Sequence, residues 1–178
     1  MIEVEKRFQP TEEQLNSLLK DAEFLGSKVN HDVYYDYEDY RLMKERVRLR
    51  SRNNNFELKL GHSRGVNTEI EDKKEIENYF KTDNLEKFIE QNFVILVEYK
   101  TKRIKYKKNG FAIDIDETDF GYNLCEIELM VEREDEVKEA KEKIVNLAKE
   151  YNWDVKKVMS KGLEYLRLFK PEIYKELI

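Results

Sequence analysis

Two periodicities of apolar residues alternate along the chain and predict its helices and strands. A capping-box pattern at Thr11 and Gln14 precedes Leu and Ala residues at helical spacing, which predicts a first helix that ends near Gly26. Residues 73–92 also have helical spacing, and the same pattern returns from Asp135 towards the C-terminus. We expect these helices to pack their apolar faces against a sheet.

Apolar and polar residues alternate in most of the remaining chain, which predicts antiparallel strands. Asn109 and Gly110 separate two such segments and predict a tight hairpin. About eight strands are predicted, in residues 1–8, 31–38, 45–52, 54–60, 67–72, 94–108, 110–118 and 122–132. The expected architecture is α+β, with an antiparallel sheet flanked by helices.

The length and composition predict a single domain that spans residues 1–178. Hydrophobic residues make up 40% of the chain and charged residues another 40%, well above the usual charged share of about a quarter. The single cysteine, Cys125, excludes an internal disulfide and favours a reducing compartment. The sequence has no apolar signal core and no membrane-spanning run. We therefore expect a cytoplasmic protein without a membrane partner, and a monomer by default.

The excess charge is sorted by strand face. Successive side chains of a strand point to opposite faces, so residue parity divides each strand into two sets. Arginines share one face of the third predicted strand, whereas acidic residues form i,i+2 pairs on other strands, and the opposite parity is apolar. The charged sets are Arg46, Arg48, Arg50 and Arg52; Glu3 and Glu5; Asp114 and Asp116; and Glu126 and Glu128.

For any one strand, the simpler interpretation is a half-buried sheet whose polar face is solvated. The segregation of charge favours a ligand instead, because neighbouring arginines repel one another unless an anion lies among them. A guanidinium group donates paired hydrogen bonds to phosphate oxygens, so a polyphosphate is the natural anion. Carboxylates beside a polyphosphate in turn require a hard cation such as Mg²⁺ or Mn²⁺ between them.

Several motifs resemble those of the CYTH superfamily, the triphosphate tunnel metalloenzymes. The family's opening Glu-x-Glu-x-Lys reads Glu3, Glu5 and Arg7 here, and further segments look closest to the animal thiamine triphosphatase branch. Those segments are DVYYDYEDYRLMK from residue 32, FELK from 56, TKR from 101, DIDETDFGY from 114 and YLRLFKPEIYKEL from 165. The resemblance implies an eight-stranded antiparallel β-barrel that forms a tunnel and uses Mg²⁺ or Mn²⁺.

The resemblance also implies roles for individual residues. Triphosphate oxygens would be bound by Arg7, Arg50, Arg52, Lys59, Arg103 and Lys161, where Arg7 replaces the family lysine. Divalent metal ions would be bound by Glu3, Glu5, Asp114, Glu126 and Glu128, with Asp72 as a further candidate and Glu69 or Glu71 as its competitors. Either Tyr34 or Tyr35 would lie near the site. The implied reaction is attack of water on the terminal phosphorus of a triphosphate.

One position bears on the choice of triphosphate. The thiamine-specific vertebrate branch resembles this chain but has a Trp where Arg48 stands, and an aromatic ring there would stack on the organic cation. We therefore expect inorganic triphosphate as the main substrate, with thiamine triphosphate as the alternative. Adenylate cyclase activity, and non-catalytic binding of polyphosphate or RNA 5′-triphosphate ends, rank lower. No nucleic-acid partner is expected.

Overall fold

The computed structural model describes residues 2–61 and 67–178. Its eight strands are β1 (Ile2–Phe8), β2 (Glu23–Asp36), β3 (Val47–Arg52), β4 (Asn55–Gly61), β5 (Asn67–Ile70), β6 (Val94–Lys108), β7 (Phe111–Thr118) and β8 (Leu124–Val131). Its seven α-helices are α1 (Glu12–Leu19), α2 (Arg41–Lys44), α3 (Lys73–Phe80), α4 (Leu85–Asn92), α5 (Val137–Glu150), α6 (Lys161–Phe169) and α7 (Pro171–Leu177). The short 3₁₀ turn Glu134–Glu136 leads into α5.

The strands form one sheet in the order β1, β8, β7, β6, β2, β3, β4, β5. Antiparallel registers join its neighbours, which confirms the predicted α+β class with eight antiparallel strands. Asn109 and Gly110 have φ values of 50° and 85°, the left-handed conformation that a tight hairpin between β6 and β7 requires. Because β1 and β5 end the order, hydrogen bonds among the described residues do not by themselves close the sheet into a barrel.

Several element boundaries differ from the prediction, among them the start of β2, which lies at Glu23 rather than at residue 31. Helix α1 ends at Leu19 rather than near Gly26, because Asp21 adopts a φ of 64° and turns the chain into β2. The helical segment 73–92 is two helices, since Lys81 adopts a φ of 55° after α3 and the Asn84 side chain then caps α4.

The chain divides into two compact units, and β2 and β6 contribute residues to both. The first unit comprises Met1–Val29 with Thr101–Lys161, and the second comprises Asn30–Lys100 with Gly162–Ile178. In the first, helices α1 and α5 cover the apolar faces of β1, β7 and β8, around a core of Phe8, Leu18, Ile113, Ile127, Ile144 and Trp153. In the second, the apolar faces of β3 and β4 pack with α3 and α4, around Leu49, Leu58, Ile76 and Leu85.

This packing confirms that the strand residues of apolar parity face the two cores. The charged residues of the same strands therefore lie on the opposite faces. The prediction that residues 1–178 form one domain stays a prediction. Within residues 2–61 and 67–178, no helix is long and apolar enough to cross a membrane.

Candidate functional site

The charged faces of β1, β7 and β8 lie side by side in the first unit. Strand register places Glu5 opposite Glu128 and Arg7 opposite Glu126. On the other side of β8, Glu126 lies opposite Asp114. Carboxylates from three strands therefore meet on one face, as residue parity predicts.

Three of these carboxylates form a group that we call the acidic cluster: Glu3, Glu5 and Glu128. Each offers an oxygen, and these oxygens lie within 4.8 Å of one another. Burial, followed by the negative charges of Asp114 and Glu3, raises the pKa of Glu128 to about 8. Such crowding of like charge is relieved by a bound cation, and carboxylate oxygens suit a hard divalent ion.

A further buried oxygen supports the same fit. Asp114 is fully buried, and its Oδ1 has no hydrogen-bond partner. Its other oxygen, Oδ2, accepts from Lys105 Nζ and Arg103 Nη1, each over 2.7 Å. An orphaned carboxylate oxygen is costly in a protein interior, whereas coordination of a metal would satisfy it. The residues present therefore fit a divalent metal ion.

Arg103 forms ion pairs with three carboxylates of the first unit, those of Asp114, Asp116 and Glu126. Its Nε donates to Asp116 Oδ1 over 2.7 Å, and its Nη2 donates to Glu126 Oε2 over 2.6 Å. Burial lowers the pKa of Arg103, but the hydrogen bond to Asp116 and the neighbouring carboxylates outweigh it and raise that pKa above its usual value. Lys161, at the start of α6, pairs with Asp116 from the other side. These ion pairs thus hold the guanidinium group of Arg103 and the side chain of Lys161 in place.

Glu126 makes its hydrogen bonds with cations and is not a member of the acidic cluster. Its Oε1 accepts from Arg7 Nε over 2.9 Å, and its Oε2 accepts from Arg103. Burial raises the pKa of Glu126, but the positive charges of Lys161, Arg103 and Arg7 outweigh it and lower the pKa to about 2. Glu126 is therefore an ionised carboxylate that positions two of the predicted phosphate-binding residues.

The second unit carries its own charged face, on β3 and β4. We call Arg48, Arg50, Arg52 and Lys59 the arginine face. Register places Arg48 directly opposite Lys59, which sets two cations side by side, and Lys59 Nζ lies 3.9 Å from Glu69 Oε2. Glu57 lies opposite Arg50 and pairs with it, while Glu69 on β5 lies opposite Lys59.

Arg52 is anchored by a buried carboxylate. Asp32 is 0% exposed, and it accepts from Arg52 Nε over 2.7 Å and from Arg52 Nη2 over 3.2 Å. This bidentate pair holds the guanidinium plane in one orientation. Arg52 Nη1 points instead towards Glu57 Oε2, which lies 4.0 Å away.

Tyr34 and Tyr35 have different surroundings. The sequence alone did not determine which of the two lies near the charged residues. The Tyr34 hydroxyl accepts from Arg50 Nη1 over 3.2 Å, and it lies 3.5 Å from the Tyr99 hydroxyl. Tyr35 instead packs with Phe56, with ring centres 6.4 Å apart, beside the second core. Tyr34 therefore belongs to the arginine face, and Tyr35 to the core.

An aromatic row continues from Tyr34. Ring centres are 6.2 Å apart between Tyr34 and Tyr99, 6.2 Å between Tyr99 and Tyr165, and 4.8 Å between Tyr165 and Phe169. Tyr165 and Phe169 lie one turn apart on α6. The row thus runs within the second unit from Arg50 to the end of α6, where Phe169 is exposed.

Two predicted residues lie elsewhere. Arg46 precedes β3 with a φ of 62°, so it is not part of the arginine ladder, which has three arginines rather than four. Asp72 is the N-cap of α3, where its side chain accepts from the Glu75 amide, and Glu69 rather than Asp72 contacts the arginine face. An Asp followed three residues later by Glu is a helix-start pattern, and the sequence already contained that signal.

Three residues of these charged networks had no predicted role: Asp32, Lys105 and Asp116. Asp116 has the parity of Asp114, Lys105 has that of Arg103, and Asp32 has that of Tyr34. Parity already placed Asp116 beside Asp114 on a charged face, and it could have placed Lys105 and Asp32 on the charged faces as well. Their partners depend on strand register, which parity does not determine.

Comparison with known proteins agrees with the resemblance seen in the motifs. The CYTH domain family matches residues 1–163. Human thiamine-triphosphatase is 28% identical over 208 aligned residues, which cover 100% of this chain and 90% of that protein.

Solved structures share the fold. PH1819 from Pyrococcus horikoshii OT3 superposes with a TM-score of 0.66 at 23% identity, covering 94% of this chain and 99% of that one. HpAC1 from Hippeastrum, a candidate adenylyl cyclase with a dominant triphosphatase activity, gives a TM-score of 0.57 at 19% identity, covering 96% of this chain and 95% of that one.

Proposed function

Because the chain belongs to the CYTH domain family, we propose that it is a divalent-metal-dependent hydrolase that removes the terminal phosphate of a triphosphate. The thiamine-triphosphatase name of the human relative and the triphosphatase activity of the Hippeastrum protein support hydrolysis of a triphosphate. The observation that carries the proposal is the acidic cluster of β1 and β8 together with cations that carboxylates of β7 and β8 hold in place, foremost Arg103 of β6.

The metal would be held by the acidic cluster together with the orphaned Oδ1 of Asp114. When bound, Mg²⁺ or Mn²⁺ would supply Lewis-acid neutralisation of the charge on phosphoryl oxygens. Glu126 would contribute indirectly, because it orients Arg7 and Arg103. This division of work assigns metal binding to residues with crowded negative charge, although Glu5 also accepts from Arg7 through one oxygen. It assigns orientation to Glu126, because both of its oxygens accept from arginines.

Phosphate oxygens would be bound by the residues to which the family resemblance gives that role: Arg7, Arg50, Arg52, Lys59, Arg103 and Lys161. In the reaction, water attacks the terminal phosphorus while the bond from that phosphorus to its bridging oxygen breaks, and diphosphate or its ester leaves. Negative charge that develops on the bridging oxygen is stabilised by donors that are already in place. Arg103 and Lys161 suit this role, since their carboxylate partners hold them in position.

Inorganic triphosphate is the substrate that we propose first. Arg48 extends the arginine face to a third position on β3, opposite Lys59, and each added cation favours a compact, highly charged anion. A guanidinium group at this position offers nothing to an organic cation, which it repels.

Thiamine triphosphate is the second candidate, favoured by the human relative and by the aromatic row. Aromatic rings attract organic cations through their faces. Tyr34 begins that row and hydrogen bonds to Arg50, so an aromatic surface adjoins the proposed phosphate-binding residues.

A side-by-side hydrolysis assay tests both parts of the proposal. Purified protein is incubated with inorganic triphosphate, thiamine triphosphate or ATP, with Mg²⁺, with Mn²⁺ or with a chelator, and released phosphate is measured. We expect metal-dependent hydrolysis with the highest kcat/KM for inorganic triphosphate. A clear preference for thiamine triphosphate would overturn the interpretation of Arg48. Hydrolysis that continues in the presence of the chelator would overturn the proposed metal dependence.

A further inference from the structure

Arg50 is held on three sides by acceptors of the protein itself. Its Nε donates to Glu57 Oε2 over 2.5 Å, its Nη1 to the Tyr34 hydroxyl over 3.2 Å, and its Nη2 to Glu69 Oε1 over 3.1 Å. Nη2 also pairs with Glu57. A guanidinium group has five N–H donors in a rigid plane, and these contacts use four of them. An anion that binds Arg50 through two N–H groups must therefore replace at least one of these acceptors.

Glu57 is the acceptor that a phosphate group would replace. Its Oε2 contacts two nitrogens of Arg50 and lies 4.0 Å from Arg52 Nη1, so one carboxylate oxygen lies between two guanidinium groups. A phosphate oxygen that bridges the same two arginines would occupy the same space. The Glu57 side chain is 13% exposed, so water reaches it, whereas it does not reach the side chain of Asp32.

Asp32 provides the contrast within the same unit. Its side chain is 0% exposed and makes two hydrogen bonds to Arg52, which leave Arg52 Nη1 directed towards Glu57. Removing a fully buried carboxylate from such a pair is strongly unfavourable. Asp32 is therefore a fixed anchor, whereas the more exposed Glu57 is the exchangeable carboxylate.

We propose that Glu57 is an internal competitor for the anion-binding arginines, and that it weakens the binding of every phosphate anion to them. This inference rests on the proposed function, since it needs phosphate groups to bind at Arg50 and Arg52. The negative charge of Glu57 must leave the arginines, or stay beside the incoming anion, when a phosphate binds. Either event costs free energy that substrate and product share. Glu57 therefore raises KM and speeds the release of phosphate and diphosphate.

If Glu57 has a positioning role instead, the predicted change in anion affinity has the opposite sign. If Glu57 only positions Arg50, its loss should weaken anion binding, because the guanidinium would lose its orientation. If it competes, its loss should strengthen anion binding. The sign of the change in affinity distinguishes the two roles.

The test is calorimetric titration of metal-free protein with orthophosphate, diphosphate and tripolyphosphate, comparing wild type with Glu57→Gln. The glutamine keeps an acceptor oxygen for Arg50 and removes the charge. We expect all three anions to bind tighter by about tenfold, the order expected for removing one repulsive charge a few ångströms away in a partly solvated site. With Mg²⁺ present, KM for tripolyphosphate should fall and inhibition by diphosphate should strengthen.

Two controls accompany the variant. Glu98→Gln removes the same charge from the same unit, but Glu98 is 49% exposed and pairs with His31, so the affinities should stay at the wild-type values. Glu57→Asp keeps the charge and should leave affinity close to wild type. Equal tightening in Glu57→Asp would show that charge is not the cause.

A measurement on the wild type covers the case in which Glu57→Gln does not fold. Titration with metal-free tripolyphosphate should shift the Nε–H signal of Arg50 in an NMR spectrum of labelled arginine side chains, while that of exposed Arg133 stays in place. Binding that leaves the Arg50 signal unmoved would overturn the inference, and so would unchanged or weaker binding in folded Glu57→Gln. If wild type and variant bind none of the three anions, the proposed function itself fails.

Discussion

The two charged regions of the chain use the same residue types to opposite effect. In the first unit, the acidic cluster gathers three carboxylates, and the pKa of Glu128 is raised to about 8 by burial and by neighbouring negative charge. In the second unit, each carboxylate near the arginine face pairs with a cation: Asp32 with Arg52, and Glu57 with Arg50. Crowded acids call for a metal ion, even though one of them, Glu5, also pairs with Arg7. The acids of the second unit instead hold or occupy arginines that can bind an anion.

An acidic residue near the proposed phosphate-binding cations is not thereby a metal ligand. Glu126 was predicted as a ligand, yet both of its oxygens accept from arginines. Asp114 combines the two situations, since one oxygen pairs with cations and the other has no hydrogen-bond partner. Contacts with cations, rather than residue type, indicate which role each carboxylate takes.

The largest expected effect comes from removing an acid of the acidic cluster. Glu128→Gln should lower metal-dependent hydrolysis of inorganic triphosphate by at least about 100-fold, the upper end of the loss seen even for partners of metal ligands. Phosphate release under saturating Mg²⁺ measures the loss. Glu117→Gln is the matched control, because Glu117 is 46% exposed on β7 and pairs with Lys102. Full activity in Glu128→Gln would remove this residue from the metal site.

Glu126→Gln separates the two kinds of carboxylate within the first unit. Because Glu126 positions Arg7 and Arg103, we expect activity to fall by roughly 10- to 100-fold. Binding of Mn²⁺, followed by electron paramagnetic resonance, should persist in this variant. Loss of Mn²⁺ binding would instead return Glu126 to the metal ligands.

Asp32→Asn tests the anchor of the second unit. The substitution leaves Arg52 without its charged partner, and we expect the free energy of unfolding to fall by about 3 kcal/mol, the low end for breaking a buried ion pair. Urea denaturation followed by circular dichroism measures it. Unlike Glu57→Gln, this variant should also bind tripolyphosphate more weakly, and tighter binding would contradict the role of anchor.

The stability of metal-free protein should depend on pH through Glu128. Its pKa rises from an ordinary 4.5 to about 8 on folding, so the folded state holds an extra proton between these values. Stability should therefore fall as pH rises from 4.5 to 8, with a slope of at most about 1.4 kcal/mol per pH unit from this group. Urea denaturation at pH 5, 6.5 and 8 measures the slope. Excess Mg²⁺ and Glu128→Gln should each flatten it, and an unchanged slope in Glu128→Gln would assign the effect to other groups.

The smallest expected effect concerns substrate choice. Arg48→Trp replaces a cation of the arginine face by an aromatic ring, and the ratio of kcat/KM for thiamine triphosphate over inorganic triphosphate should rise by about tenfold, the size of a stacking contact with a cation. Arg48→Gln is the control that removes the charge without adding a ring. A ratio that rises equally in both variants would show that repulsion alone excludes thiamine.

Much of the fold and of the charged faces was predictable, because both follow from residue parity. The alternation in β3, β4, β7 and β8 assigned Leu49, Leu58, Ile113 and Ile127 to the apolar side, and all four are buried in the two cores. The match of residues 1–163 to the CYTH domain family confirms the resemblance carried by the motifs.

The differences and omissions arose where local backbone geometry or register decides. Arg46 has the right parity but lies outside β3 in a left-handed conformation, and Asp72 caps a helix. The ion pair of Asp32 with Arg52 depends on which residues of β2 and β3 face each other, and parity does not determine that register. The roles assigned to the site residues stay predictions until the variants are measured.

The most direct test of the account is a crossed binding measurement on two variants, one from each unit. Mn²⁺ binding is measured by electron paramagnetic resonance, and binding of metal-free tripolyphosphate by calorimetry, for Glu128→Gln and for Arg50→Gln. We predict that Glu128→Gln loses Mn²⁺ and keeps tripolyphosphate, whereas Arg50→Gln keeps Mn²⁺ and loses most of its affinity for tripolyphosphate. Variants that each keep or lose both ligands together would contradict the division of metal and anion binding between the acidic cluster and the arginine face.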